Sequence, residues 1–144
     1  MLRLRSRAQF QAVLAGDRLA ATAHFVLLHR KFLAKSALEP SGTSNSALLF
    51  KPAEVWIGAM VPKRWAKRAV TRNAMKRQIY NVSLQFEDHL PAAAYLVRLR
   101  TGFDSRLYAS ATSSALKQAV SRELLALFAA ARSALAIKPV ASPV

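Results

Sequence analysis

The sequence predicts an α+β domain in which helices pack on a sheet, and three observations lead there. The chain has 144 residues, 53% of them hydrophobic, which suits one domain with a core of its own. Its apolar residues recur at helical and at strand spacing in turn, in the order helix, strand, strand, helix, strand, helix. It has no cysteine, so disulfides and thiolate metal sites are excluded. At this length about two-thirds of the unfolded surface can be hidden without such a staple.

Ser6 to Ala15 reads as a short amphipathic helix, capped by Ser6, ended by Gly16 and apolar at Phe10, Val13 and Leu14. His24 to Leu33 (HFVLLHRKFL) has few breakers and reads as a strand. Residues 35–53 carry Ser36, Pro40, Ser41, Gly42, Asn45 and Ser46, turn formers that predict a long, mobile polar connection. Glu54 to Pro62 (EVWIGAMVP) is a second strand. From Lys63 to Phe86 an irregular lead-in turns into a helix, with Met75, Ile79, Val82 and Phe86 as its buried stripe. Leu90-Pro91 stops that helix, and Tyr95 to Arg100 is a third strand closed by Thr101-Gly102. The last helix is expected from Thr112, its cap, to Ile137, with Leu116, Val120, Leu124, Leu127 and Ala131 facing the core. Residues 1–138 then form one domain, and 139–144 a disordered tail.

Charge narrows the function. Twenty-two Lys and Arg stand against 7 Asp and Glu, a net +15. Such an excess costs self-repulsion in the compact state, and a polyanionic partner is the simplest reason to carry it. The cations concentrate in Lys63 to Arg77 (KRWAKRAVTRNAMKR), where Lys63, Arg64, Lys67, Arg68, Arg72, Lys76 and Arg77 are basic and nothing is acidic. At roughly 100° per residue, Arg72, Asn73, Lys76, Arg77 and Tyr80 fan across about 140° beside the buried stripe. One side of the helix grips the core while its neighbour offers charge to phosphates, releasing counterions on binding. Asn73 adds an amide that both donates and accepts. A solvated basic face without a partner is the bland alternative, and it would call for acids close by. Glu87 and Asp88 come only after the segment.

Other groups extend the surface. Arg3, Arg5 and Arg7 precede or open the first helix, and Arg98 and Arg100 share one face of the third strand. Phe10, Phe25 and Trp65 could each stack on an unpaired base, or equally belong to the core. Several chemistries are missing. No Ser/His/Asp, Cys/His or paired-carboxylate arrangement occurs, and no phosphate-binding or dinucleotide-binding glycine motif. Seven acids make a protein-held two-metal nuclease centre hard to assemble. His24, His29 and His89 fall in no metal-ligand spacing and read as surface or edge residues. No run reaches the roughly 20 apolar residues of a spanning helix. The Arg-rich start looks like a transit peptide, but Phe10, Val13 and Leu14 continue it as a core-facing helix.

Arg72-Asn73-Ala74-Met75-Lys76-Arg77 resembles the Arg-Asn-Arg-x-x-Lys-Arg-like signature helix of a known family, the protein component of bacterial ribonuclease P. Gly58, Val61, Lys63 and Arg64 resemble that family's G-x-x-V-x-K-K strand end, Phe10 and Val13 its F-x-x-V/F helix, and Phe25 to Leu28 the strand that follows. The likeness covers about residues 2 to 130. It implies a single-domain sandwich of helices on a four-stranded sheet, in the order αβββαβα with a left-handed βαβ crossover, like the second domain of ribosomal protein S5. General chain topology would favour the right hand.

The resemblance further implies a cytoplasmic, non-catalytic subunit of a ribonucleoprotein endoribonuclease, which removes the 5′ leader of precursor tRNA. The RNA subunit carries the magnesium-dependent chemistry, and the protein alone binds no cofactor, metal, small-molecule substrate or membrane. Arg72, Asn73, Lys76 and Arg77 match the signature and Lys63, Arg64 and Arg68 its basic lead-in. With Lys67 these are the expected RNA-binding residues. A cleft between the first helix and the sheet is expected to hold the leader, with Phe10, Phe25, Arg98 and Arg100 as its candidates. The chain departs from the pattern at Ala74, where a second arginine is usual, and at Tyr80 and Asn81, where Arg-Glu often follows. Leu14 and Leu28 stand where aromatics are common. The competing readings are a generic basic RNA-binding or ribosome-associated protein, and a DNA-binding or membrane-surface protein. The last lacks a helix-turn-helix spacing or a wide aromatic apolar face.

Overall fold

The structure, a computed structural model, describes residues 1–31, 50, 54–103 and 114–141, and of residues 136–141 the backbone alone. The elements run β1 (Leu2–Arg3), α1 (Arg7–Leu14), β2 (Asp17–Ala21), β3 (Phe25–Lys31), β4 (Trp56–Met60), α2 (Ala69–Gln85), a 3-10 turn (Glu87–His89), β5 (Ala93–Leu99) and α3 (Ser114–Ala141). They build one mixed sheet in the order β1-β4-β5-β3-β2. β4 is parallel to both β1 and β5, and the β5–β3 and β3–β2 pairs are antiparallel. The β4–α2–β5 segment is thus a crossover between neighbouring parallel strands.

Four of these strands are the expected sheet, and β1 is a fifth. Leu2 N–H donates to the Val55 carbonyl and Leu4 N–H to that of Ile57, each at 2.9 Å, which fixes the start of the chain to the sheet edge. β2 escapes the periodicity because Asp17-Arg18-Leu19-Ala20-Ala21 alternates poorly, and its pairing with β3 shifts register between Arg18 and Ala20.

Strand alternation sorts the residues onto two faces. On one, Phe25, Leu27, Ile57, Ala59, Tyr95, Val97 and Leu99 meet the stripes of α2 (Met75, Ile79, Val82) and α3 (Leu116, Val120, Leu124, Leu127, Ala131). On the other, Trp56, Ala94 and Leu96 meet Leu4 and the Val13 side of α1, with Phe10, Leu28 and Met60 partly buried around them. Gly58 lies on this second face. A Cβ there would stand 2.5 Å from Leu4 Cδ1 and 3.1 Å from Phe10 Cε1, so the glycine lets α1 approach. α1 itself starts at a capping box: the Ser6 hydroxyl accepts from Gln9 N–H, and the Gln9 side chain accepts from Ser6 N–H, both at 3.1 Å.

Several boundaries and placements differ from expectation. The connection at 35–53, expected to be mobile, lies outside the described residues apart from Phe50. That ring is buried and meets Trp56 edge-on at 5.8 Å, so the connection's far end is anchored in the core of the α1 face. Thr112, the expected cap of the last helix, also lies outside the described residues. The helical backbone runs on to Ala141, three residues into the expected tail, and 142–144 lie outside. His29, expected at the surface, is buried: its position on β3 turns it to the face covered by α2 and α3, where it stacks on Tyr95 with ring centroids 6.1 Å apart. Burial pushes the Tyr95 hydroxyl far above the ordinary tyrosine range, and that hydroxyl donates to the Pro91 carbonyl at 2.7 Å.

Candidate nucleic-acid interface

β4 ends at Met60, and the chain turns at Pro62, whose carbonyl accepts from Trp65 N–H at 3.1 Å and from Ala66 N–H at 3.2 Å. That single turn throws Lys63 and Arg64 outward while Trp65 and Ala66 settle against the core. Trp65 is therefore a half-buried anchor. The Arg64 guanidinium lies over its ring, 5.2 Å from the centroid, and covers the face that could have stacked on a base. Lys67 and Arg68 are exposed, and Arg68 is the N-cap of α2, with no side-chain cap bond.

Arg72 behaves differently from its neighbours. Its Nη1 donates to the carbonyls of Ala66 at 3.0 Å and Lys67 at 2.8 Å. The side chain is folded back onto the lead-in turn, so its charge remains at the surface while its geometry braces Lys63 to Arg68. Asn73 and Arg77 are exposed and Lys76 is half-buried. With Tyr80 and Asn81 they line an open groove, and the sixth lining residue is Arg3. The Arg3 guanidinium sits 4.0 Å above the Tyr80 ring centroid. β1 delivers it there: because Arg3 pairs with Ile57 on β4, the first arginine belongs to the α2 surface and not to α1. The alternation Leu2-Arg3-Leu4-Arg5 is the signal that could have shown a strand at this point.

Among the described residues no carboxylate lies within ion-pair distance of Arg3, Lys63, Arg64, Lys67, Arg68, Arg72, Lys76 or Arg77. α2 contains no acid at all. Among the described residues these charges have no carboxylate partner, and Arg3, Lys76 and Arg77 converge on one groove, an arrangement suited to a chain of phosphates. Tyr80 and Asn73 add a ring and an amide to that field, groups able to meet a base or a ribose hydroxyl.

The other face of the sheet holds the space between α1 and the strands. Phe10 is half-buried there, beside Leu28 and Met60. Arg98 lies on this face, in register with Val26 of β3 and Met60 of β4, and is half-buried. Arg30, which sequence reasoning passed over, shares the face and donates from Nη1 to the Ala12 carbonyl at 3.2 Å, tying α1 to β3. Its signal is the alternation Val26, Leu28, Arg30. Arg100 lies just past β5, exposed, with Nη2 on the Thr22 carbonyl at 2.6 Å, which draws it toward the β2–β3 turn. Phe25 must be removed from the cleft. It is fully buried against α2 and α3, because its position on β3 turns it to the opposite face.

The sequence profile of the ribonuclease P family matches residues 1–126. The chain belongs to the ribonuclease P protein family. Relatives agree in length as well as pattern: the ribonuclease P protein component of Bordetella parapertussis is 34% identical over 126 residues, 88% of each chain. That of Bordetella petrii is 34% identical over 130 residues, covering 90% of this chain and 91% of its own. In three dimensions the ribonuclease P protein of Staphylococcus aureus superposes with a TM-score of 0.60 at 18% identity, over 90% of this chain and 94% of that one. The one from Thermotoga maritima gives 0.54 at 19% identity, over 87% and 93%. At such identities the structures speak for the fold, while the profile and the Bordetella sequences carry the family. Among the described residues no helix is long and apolar enough to cross a membrane, and no three His, Asp or Glu side chains gather as a metal site.

Proposed function

We propose that the chain serves as the protein subunit of a ribonucleoprotein endoribonuclease that matures precursor tRNA in the cytoplasm. In this reading α2 and its lead-in dock on the catalytic RNA subunit, and the α1 face holds the single-stranded 5′ leader. The RNA, with magnesium, supplies the chemistry. The observation that carries the proposal is the groove of Arg3, Asn73, Lys76, Arg77, Tyr80 and Asn81, cationic and, among the described residues, without a carboxylate in ion-pair reach. Family membership supports the ribonuclease P RNA as the partner of that surface. The leader assignment is supported by the half-open α1 face, where Phe10, Leu28 and Met60 offer apolar contact next to the Arg98 cation.

Added to its RNA partner, the pure protein should tighten binding of precursor tRNA more than of mature tRNA, measured as the change in Kd of each. Equal effects on the two substrates would remove the leader from the proposal. If in addition no structured RNA were bound in preference to bulk RNA, the chain would be a generic basic RNA-binding protein.

A further inference from the structure

α3 carries a second cationic face that the signature helix does not account for. Lys117, Arg122 and Arg132 are all exposed, and among the described residues none lies within ion-pair reach of a carboxylate. At about 100° per residue, Lys117, Ser121, Arg132, Leu125, Gln118 and Arg122 fall within roughly 140° of one another. The core stripe of Leu116, Val120, Leu124 and Leu127 lies outside that fan, over a further arc of about 80°.

The helix has a single acid, Glu123, and it is turned away from this fan. Its carboxylate accepts from the Thr22 hydroxyl at 2.6 Å and lies 2.8 Å from His24 Nδ1, in the β2–β3 turn. Glu123 is thereby spent on a tertiary contact, and the outward side of α3 is left wholly positive.

This face adjoins the α2 surface. A groove lined by Gln78, Lys117, Gln118, Ser121, Arg122 and Leu125 runs along the seam of the two helices, where the Ser121 hydroxyl donates to Gln78 Oε1. Gln78 follows Arg77 directly, and Asn81, on the rim of the α2 groove, and Gln85, one turn further on, are exposed uncharged amides. Among the described residues no acid of α2 interrupts the path from Arg3 to Arg122.

We propose that the α2–α3 groove, with Lys117 and Arg122 on its rim, binds the phosphate backbone of the same RNA that the α2 surface engages, as a second strip of contacts. The occupant is RNA because the face is uniformly cationic and continues a surface already assigned to RNA. Leu125 is the groove's one large exposed apolar residue, at 39% exposure, too little for a protein or membrane anchor. The inference rests on the RNA-binding reading above, and the test separates the two.

The RNA affinity of the full chain is measured across a salt series for the native protein, for Lys117→Ala/Arg122→Ala and for Lys76→Ala/Arg77→Ala. Both double variants should lower the slope of log K against log salt by about two, one per lost phosphate contact. Native thermal melting of each shows that the fold is intact. A slope unchanged in Lys117→Ala/Arg122→Ala but reduced in Lys76→Ala/Arg77→Ala overturns the α3 strip and leaves the α2 surface standing. Slopes unchanged in both overturn the RNA-binding reading and the strip with it. Because the chain has no cysteine, Gln118→Cys gives a unique attachment point for an iron chelate. Localised cleavage of the bound RNA from that position is the expected result, and no cleavage there contradicts the strip.

Discussion

The two faces of the sheet are made of the same strands and are closed differently. One is sealed by α2 and α3, whose stripes interlock with odd-numbered strand residues from Phe25 to Leu99. The other is covered by α1, only eight residues long, together with Leu4 and Phe50, and it leaves Phe10, Leu28, Met60 and Arg98 partly in solvent. The sealed face supplies stability and holds α2 so that its outward side can present Asn73, Lys76 and Arg77 to a partner. The half-open face keeps apolar and cationic groups available together, at the cost of burying less area. The division of labour follows from helix length and from the two-residue period of the strands.

Cavity-forming changes give the largest test of that contrast. Leu127→Ala on the sealed face should cost about 2–5 kcal/mol, because a fully buried leucine leaves a cavity. Phe10→Ala on the half-open face should cost clearly less in denaturant unfolding while weakening precursor tRNA binding. Equal losses of stability would mean that the faces are equally closed. A smaller effect is expected from Gly58→Ala. Its Cβ presses on Leu4 and Phe10, and since the Leu4 side chain can yield, the loss should be about 1–3 kcal/mol by thermal unfolding. The damage should be confined to the α1 side, so affinity for the RNA subunit should be retained.

The smallest effect concerns the edge of the sealed face. Burial of Glu123 opposes its ionisation. Hydrogen bonds from the Thr22 hydroxyl and from the ring and backbone N–H of His24, with the His24 charge, outweigh that and hold the carboxyl below the usual range. A lowered carboxylate stabilises the fold above its unfolded value, and that contribution disappears as pH falls through the folded one. Glu123→Gln should therefore flatten the acid limb of the stability profile, with a loss on the order of 1 kcal/mol at neutral pH that fades once the native carboxyl is protonated. An unchanged acid limb would show that the contact does not latch α3 to the β2–β3 turn.

The sequence made much of this legible. The stripes of α2 and α3, the Ser6 cap and the central cations could be read because each rests on local periodicity or composition. Face assignment could not be read so directly. Phe10 and Phe25 look alike in the chain, yet pairing across the sheet puts one beside a cleft and the other in the core. Arg3 was attached by proximity in sequence to α1, whereas a two-residue strand carries it to Tyr80. Arg72 belongs to the cationic fan by angle, but its reach back to Ala66 and Lys67 is a tertiary matter that no periodicity records. β2 was hidden by weak alternation and a register shift. Contacts distant in sequence, such as that of Glu123 with His24, leave no trace in the spacing at all.

The account turns on the exposed positive charge of α2. Titrating ribonuclease P RNA with the native chain and with Arg77→Ala over a range of salt concentrations tests it most directly. Affinity should fall steeply and linearly with log salt for the native chain, and the variant's slope should be shallower by about one. A native slope near zero, or a variant indistinguishable from the native chain in both slope and Kd, would contradict it.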